Sequence, residues 1–263
     1  MYRCEKCRNA FVAPMPAPDF LAEYYSNYHV GRGPKGNYAQ EEKMRAYHPA
    51  ELQLVQKYTK GNPGRLLDLG CGKGYFLELC AKAGIDCMGL ELSDTAARAA
   101  REELGLNVQA GSIHEAKGEI GTFDTVTMWG VIEHLPDPVE VLRSCWDVLK
   151  PGGLLIVNTG TGDDWFDRLL PGVNQWYNPP QHLFVFSAPG LAECFRQAGF
   201  QMVDQIPNYD RSAKRWIARF VRSAVTGALL RVVSTLGRLD SGEFALTKFP
   251  MGNHQVAVGR KPG

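Results

Sequence analysis

From residue 65 onward, short apolar runs with strand character alternate with runs that carry apolar residues at helical spacing. The strand runs are 65–69, 87–92, 108–110, 123–129, 154–158, 201–206 and 255–260. Between the earlier ones lie "GYFLELCAKAG", "SDTAARAAREELG" and "DPVEVLRSCWDVLKPGG", each ending near glycine. Ser93 is placed to cap its helix and Pro138 suits a first helical turn. A later helix, in "FSAPGLAECFRQAGF", has Ser187 as its cap and Gly199 to end it in a left-handed conformation. Strand–helix alternation of this kind calls for a mostly parallel sheet, because the crossover helices cover both of its faces.

Composition narrows the classes that this sheet can serve. At 263 residues the chain can bury a full core, with 44% hydrophobic and 22% charged residues. A net charge of +1 supplies no global field to draw in nucleic acid. The start, "MYRCEKC", lacks the apolar centre of a signal peptide, and no apolar run approaches the ~18–20 residues of a membrane helix. Cys71, Cys80, Cys87, Cys145 and Cys194 sit singly in apolar patterns, which reads as reduced, buried thiols in a cytoplasmic protein.

The strand over 65–69 runs into the turn Gly70-Cys71-Gly72-Lys73-Gly74. A dinucleotide fingerprint places its third glycine one residue later, and a phosphate loop needs Lys-Ser or Lys-Thr after its last glycine. The bland alternative is a close-packed turn with no ligand. Asp68 argues for a different guest. A carboxylate just before the turn opposes pyrophosphate and welcomes an ammonium group. Glu91 closes the next strand, 21 residues after Gly70, where an acid can accept both ribose hydroxyls. An amine at one end, an adenosine ribose in the middle and no phosphate describe S-adenosylmethionine.

Four segments now bear comparison with a known family: "LLDLGCGKGYFLELCAKAG", "GLELS", "FDTVTMWGVIEHLPDPVEVL" and "VLKPGGLLIVNTG". Together they resemble the class I S-adenosylmethionine-dependent methyltransferases, in the branch of the quinone-biosynthesis O-methyltransferases. The resemblance covers about residues 65–200 in order. It implies an α/β fold with a seven-stranded, mostly parallel, Rossmann-like sheet, helices on both faces and the last strand antiparallel. It also implies that Asp68 and the backbone at Gly70, Cys71, Gly72 and Gly74 hold the methionine end of S-adenosylmethionine. Glu91 then holds the ribose, Leu92 underlies the adenine, and Ser112 and Ile113 flank its other face. Many relatives have Asp in place of Ser112. Trp129 and Gly130 end a strand beside the sulfonium, and the second product is S-adenosylhomocysteine.

The acceptor is less defined. "NPPQ" at 178–181 lacks the aromatic residue of adenine-N6 methyltransferases and lies beyond the strand that carries their motif, so it reads as a rigid turn and nucleic acid is disfavoured. Methyl transfer needs alignment above all, and an oxygen nucleophile gains from a base near neutral pKa. His134 and His182 are the candidates, each against the alternative that it orders a loop. His29, His48, His114 and His254 read as surface residues. Trp165, Phe166, Trp176 and Tyr177 either wall a ring-shaped acceptor or pack a lid. The stretch 211–239 carries Arg211, Lys214, Arg215, Arg219, Arg222, Arg231 and Arg238 and no acid. It reads first as a helical lid with a solvated basic face. The sharper reading is a peripheral contact with anionic lipid, or a grip on an anionic, lipid-linked or nucleotide-linked acceptor.

Cys4 and Cys7 have zinc-knuckle spacing, but structural zinc wants four ligands and no second pair follows. The stretch resembles the second half of an N-terminal zinc ribbon, with Arg8 where a glycine is usual. A knuckle upstream, completion by another chain, and a decayed ribbon without metal are the three explanations. Decay or truncation is favoured over a working zinc site. The expected division is an N-terminal cap over 1–50, whose tyrosines Tyr24, Tyr25, Tyr28 and Tyr38 fold over the cofactor or the sheet edge. A methyltransferase domain follows over 51–263, with a helical insertion at about 210–250. Two rivals stand beside a small-molecule O-methyltransferase: a nicotinamide-dependent oxidoreductase on a similar sheet, and a non-catalytic S-adenosylmethionine-binding partner subunit.

Overall fold

The computed structural model describes residues 1–28, 45–163, 176–209 and 254–263. The basic stretch 211–239, the insertion, His29, Tyr38, Trp165 and Phe166 lie outside the described residues. In chain order the strands begin with β1 (Tyr2–Arg3), β2 (Ala10–Phe11), β3 (Leu66–Leu69), β4 (Cys87–Glu91) and β5 (Val108–Ala110). They continue with β6 (Phe123–Trp129), β7 (Leu149–Gly160), β8 (Phe184–Val185), β9 (Gln201–Tyr209) and β10 (His254–Arg260). The helices are α1 (Pro18–Tyr28), α2 (His48–Tyr58), α3 (Tyr75–Lys82), α4 (Asp94–Leu104), α5 (Ile113–Ala116), α6 (Pro138–Val148) and α7 (Ala188–Gln197).

Seven strands form one sheet in the order β5-β4-β3-β6-β7-β10-β9. The pairs from β5 to β7 are parallel, and β10 runs antiparallel to both β7 and β9. The alternation read from the sequence therefore produces the expected sheet. Two differences are informative. The "KPGG" segment belongs to β7 rather than to a loop, because Phe123 pairs with Leu149 and Thr125 with Leu154, leaving the intervening residues as a bulge. A second, small sheet of order β1-β2-β8 was not anticipated, since two-residue strands carry no periodicity.

Side chains alternate across the sheet. Leu67 and Leu69 of β3, with Val126 and Met128 of β6, pack beneath α5, α6 and α7. Leu66 packs on the other face with Phe76 and Leu77 of α3, Ala97 and Ala100 of α4, and Leu54 and Val55 of α2. The caps are those the sequence named: Ala96 N donates to Ser93 Oγ at 3.3 Å, and Gly190 N donates to Ser187 Oγ at 2.9 Å.

Ser187 also fastens the N-terminal segment. Its Oγ donates to the Cys7 carbonyl, and its amide donates to Asn9 Oδ1 at 2.9 Å. Gly190 lies so close to Asn9 that a methyl group there would sit 1.8 Å from Asn9 Oδ1. Arg3 in turn donates to the Tyr177 hydroxyl. Ser187→Ala is expected to lower stability by about 1–2 kcal/mol through loss of the cap and of the bond to Cys7. Urea denaturation monitored by circular dichroism measures it.

Candidate active site

The C-terminal ends of β3, β4 and β6 converge on the glycine turn. Gly70, Gly72 and Gly74 all have positive φ, at 72°, 54° and 79°. At Gly70 a side chain would also meet Val131 Cγ2 at 2.6 Å, whereas the space around Gly72 is open. The turn is thus closed against the protein at Gly70 and bare toward a ligand at Gly72. Cys71 closes its own end: a methyl group on Gly89 would sit 2.5 Å from the Cys71 thiol. Burial, then the nearby Asp68 and Glu91 charges, push that thiol well above its ordinary pKa.

Asp68 and Glu91 are both buried, with 2% and 9% exposure. Glu91 spans the turn: Gly72 N donates to its Oε2 at 2.8 Å and Ser93 N to its Oε1 at 2.9 Å. Its carboxylate is therefore held in place, with further lone pairs for hydroxyl donors. Thr127 Oγ1 donates to Asp68 Oδ1 at 2.7 Å. Burial nevertheless pushes the Asp68 carboxyl well above the usual range, and the charges of Glu51 and Glu91 push the same way against the Thr127 bond.

Glu51 is a residue that the sequence reading missed. It is 1% exposed on α2, and its carboxylate lies 2.7 Å from His48 Nδ1. An acid among apolar residues in the helix before the glycine strand is the signal that could have found it. His48 and His254 also differ from expectation. Both are half-buried, His48 on Glu51 and His254 with Nδ1 3.1 Å from Asn158 Oδ1. His114 is exposed, as read.

The adenine end is mixed. Leu92 presents 61% of its surface just past β4. Ser112 is the N-cap of α5, and its hydroxyl donates to Glu115 Oε2 at 2.7 Å in a capping box. The Ile113 side chain is buried in the core, so any adenine contact at this residue is made by its backbone. Trp129, at the end of β6, meets Phe76 edge-on at 5.2 Å between ring centres. Gly130 follows with φ of 73°, and a methyl group there would lie 3.6 Å from Glu133 Oε1.

His134 and His182, 48 residues apart in sequence, are brought together with ring centres 4.9 Å apart. His134 Nδ1 is 2.6 Å from the Gln181 carbonyl and His182 Nδ1 is 2.9 Å from the Trp176 carbonyl. A carbonyl only accepts, so each Nδ1 carries a hydrogen, and in the neutral ring the lone pair is then on Nε2. Glu133, 2% exposed and bonded by Thr159 Oγ1 at 2.8 Å, completes a cluster whose potential ligand atoms lie within 4.8 Å. Trp176 sits over Gly160, 5.4 Å from the His182 ring and 4.8 Å from that of His254. The "NPPQ" turn is as read: His182 N donates to the Asn178 carbonyl at 3.0 Å and Asn178 Nδ2 to Gln181 Oε1 at 2.8 Å.

Cys4 and Cys7 form a tight loop in which Arg8, at φ of 64°, donates its amide to the Cys4 carbonyl at 2.8 Å. Among the described residues no third Cys, His, Asp or Glu joins them as a metal ligand.

Residues 40–205 match the profile of a family described as a methyltransferase domain. The chain belongs to that family. It is an S-adenosylmethionine-dependent methyltransferase, and the two buried acids around the glycine turn suit that cofactor. It is 32% identical over 181 residues to a ubiquinone biosynthesis O-methyltransferase of Xanthomonas euvesicatoria, a match covering 62% of this chain and 74% of that one. Its match to the Methylococcus capsulatus protein of the same name is 36% identical, covering 44% of this chain and 52% of the relative. Among solved structures it resembles a Burkholderia thailandensis 1,6-didemethyltoxoflavin-N1-methyltransferase, which holds that compound and S-adenosylhomocysteine. The TM-score is 0.61 with 22% identity, over 100% of this chain and 99% of that one, a likeness of fold.

An acid whose pKa is raised on folding makes the ligand-free protein lose stability as pH rises from the ordinary Asp value toward the raised one. Asp68→Asn is expected to remove that slope and to hold or raise the melting temperature at neutral pH. It should weaken S-adenosylhomocysteine binding by about a hundredfold or more, because a buried cation loses its counter-charge. Thermal melts across pH and calorimetric titration measure the two effects.

Proposed function

We propose that the enzyme methylates an oxygen atom of a small-molecule acceptor, with His182 as general base and His134 holding the acceptor hydroxyl. The observation that carries this reading is the His134–His182 pair, just past the end of β6, with each Nδ1 bonded to a backbone carbonyl of residues 176–181. The named activity of the relatives supports oxygen as the attacking atom.

S-adenosylmethionine, when bound, supplies an electrophilic methyl group on a sulfonium that leaves as a neutral thioether. Asp68 takes its ammonium group and Glu91 its ribose hydroxyls. Gly72 leaves the backbone bare for the chain between them. Val131 lies against Gly70, so Glu133 and His134 begin within one turn of the cofactor cradle. His182 Nε2 accepts the hydroxyl proton as the acceptor oxygen gives its electron pair to the methyl carbon. Trp176 walls the acceptor side and keeps water from that oxygen. The basic stretch 211–239 supports an acceptor that is anionic, lipid-linked or nucleotide-linked, or a peripheral contact with anionic membrane.

His182→Asn retains an N–H near the Nδ1 position for the Trp176 carbonyl and removes the basic nitrogen. It is expected to lower kcat by about 10²–10⁴-fold with S-adenosylhomocysteine affinity unchanged. Labelled methyl transfer from S-adenosylmethionine into a cell extract identifies the acceptor. Transfer of the label to nitrogen or carbon, with none to oxygen, would exclude an oxygen acceptor.

The Glu133–His134–His182 cluster favours a second reading, in which a divalent cation held there orients the acceptor oxygen and lowers its pKa. Chelator treatment decides between them: transfer abolished by EDTA and restored by added magnesium or zinc supports the cation, and transfer unaffected by EDTA supports the histidine base.

A further inference from the structure

Methyl transfer leaves Cys4 and Cys7 without a task, yet they sit on the segment that braces the acceptor loop. Both thiols are half-buried. They lie in one turn, closed by the Arg8 amide on the Cys4 carbonyl at 2.8 Å and by the Cys4 amide on the Asn9 carbonyl at 2.9 Å. A closed turn keeps its first and fourth Cα atoms within about 7 Å, close to the roughly 4.4–6.8 Å that a disulfide bridges. Within it the two thiols come within hydrogen-bonding reach of each other.

The two thiols are unlike. The Cys7 amide, then the Cys7 thiol and the Lys6 amide, stabilise the Cys4 thiolate and lower its pKa, whereas burial raises that of Cys7. A thiolate held by amide donors and open to solvent is an attacking group, and a protonated neighbour is a resolving one. The other five cysteines have no such setting: burial pushes every one of them above the ordinary thiol value.

The turn is also wired to the acceptor loop. The Cys7 carbonyl accepts from Ser187 Oγ, and Asn9 Oδ1 accepts from the Ser187 amide at 2.9 Å. Ala10 pairs with Val185, and the Val12 amide donates to the Leu183 carbonyl at 2.9 Å. Residues 7–12 thus run along 183–187, next to His182.

We propose that Cys4 and Cys7 form a dithiol–disulfide site that exchanges with small-molecule disulfides and adjusts the acceptor loop through Ser187. The Cys4 thiolate attacks one sulfur of the incoming disulfide. A bond forms to Cys4 Sγ, the incoming S–S bond breaks, and one thiolate leaves. Cys7 then gives its proton to solvent and attacks Cys4 Sγ, which closes the Cys4–Cys7 bond and expels the second thiolate. The two protein thiols lose two electrons in all, and the incoming disulfide becomes two thiols. Closure draws the sulfurs to about 2.05 Å and pulls on the carbonyl that holds Ser187. The link to methyl transfer rests on His182 lying in the acceptor loop, whereas the thiol chemistry does not.

The test incubates the full chain in buffers of graded reduced to oxidised glutathione, quenches it with an alkylating reagent and measures intact mass. The wild type is expected to lose two hydrogens reversibly. Cys7→Ser is expected to stop at one added glutathione, and Cys4→Ser to stay unmodified. Hydrogen exchange over residues 182–187 is expected to change on oxidation of the wild type, with the affinity for S-adenosylhomocysteine by calorimetry the same in both forms. A wild type that forms neither the disulfide nor a mixed disulfide overturns the site, and the wild-type measurement stands even where a variant does not fold. One zinc ion per chain or per pair of chains, with thiols that react only after chelation, also overturns it in favour of a metal site. A disulfide that leaves exchange over 182–187 unchanged overturns the coupling to the acceptor loop. None of these results touches the assignment of the cofactor or of His182.

Discussion

The site is organised around a carboxylate in an unfavourable place. Asp68 lies at the end of a central strand, sealed from water and within the field of two further buried acids. Thr127 donates a hydrogen bond to it, and burial outweighs that bond. Such a group is a poor contributor to the fold of the empty protein. It becomes favourable when a cation enters, because the same low dielectric that penalises the lone charge strengthens the pair. The neighbouring features are consistent with that purpose. Gly70 lets Val131 close one side of the turn, Gly72 leaves the other bare, and Glu91 ties the turn to the adjoining strand end.

Much of this was legible in the sequence because it is written in local chemistry. Apolar runs with strand character, alternating with runs at helical spacing, point to the seven strands and their helices, and three glycines in a row of five mark the turn of positive φ. Ser93 and Ser187 announced their helices by type alone. What was hidden depends on contacts distant in sequence. Glu51 looks like an ordinary polar residue on a helix until α2 packs over β3. The small sheet is hidden for the same reason, since it joins residues 2–11 to 184–185. Ser112 has a structural task that the sequence reading did not name: with Glu115, three residues on, it forms the capping box of α5.

The histidine pair shows how loop and strand combine. His134 is placed by a short 3₁₀ turn straight after β6, while His182 comes from a segment that reaches the same place after β7. Each ring is bonded to a carbonyl of that segment, Gln181 for one and Trp176 for the other. The bonds do two things together. They hold residues 176–183 beside the end of β6, and they place a hydrogen on each Nδ1. A histidine that orders a loop and a histidine that acts as a base were posed as alternatives from the sequence. The bonds establish the first task, and in the proposed mechanism that task positions the ring for the second.

The same segment links the chemistry to the N-terminus. Beyond His182 it enters β8, which pairs with β2, and then Ser187, which bonds to the loop that follows Cys7. Tyr177, at its start, accepts a bond from Arg3. The loop that carries the proposed base is therefore clamped on one side by the methyltransferase sheet and on the other by the cysteine loop. Whatever the two thiols do, they do it within a few bonded contacts of the acceptor wall. Stiffness in that clamp bears on catalysis more than on folding alone, because in-line methyl transfer loses rate steeply when the acceptor oxygen is misplaced.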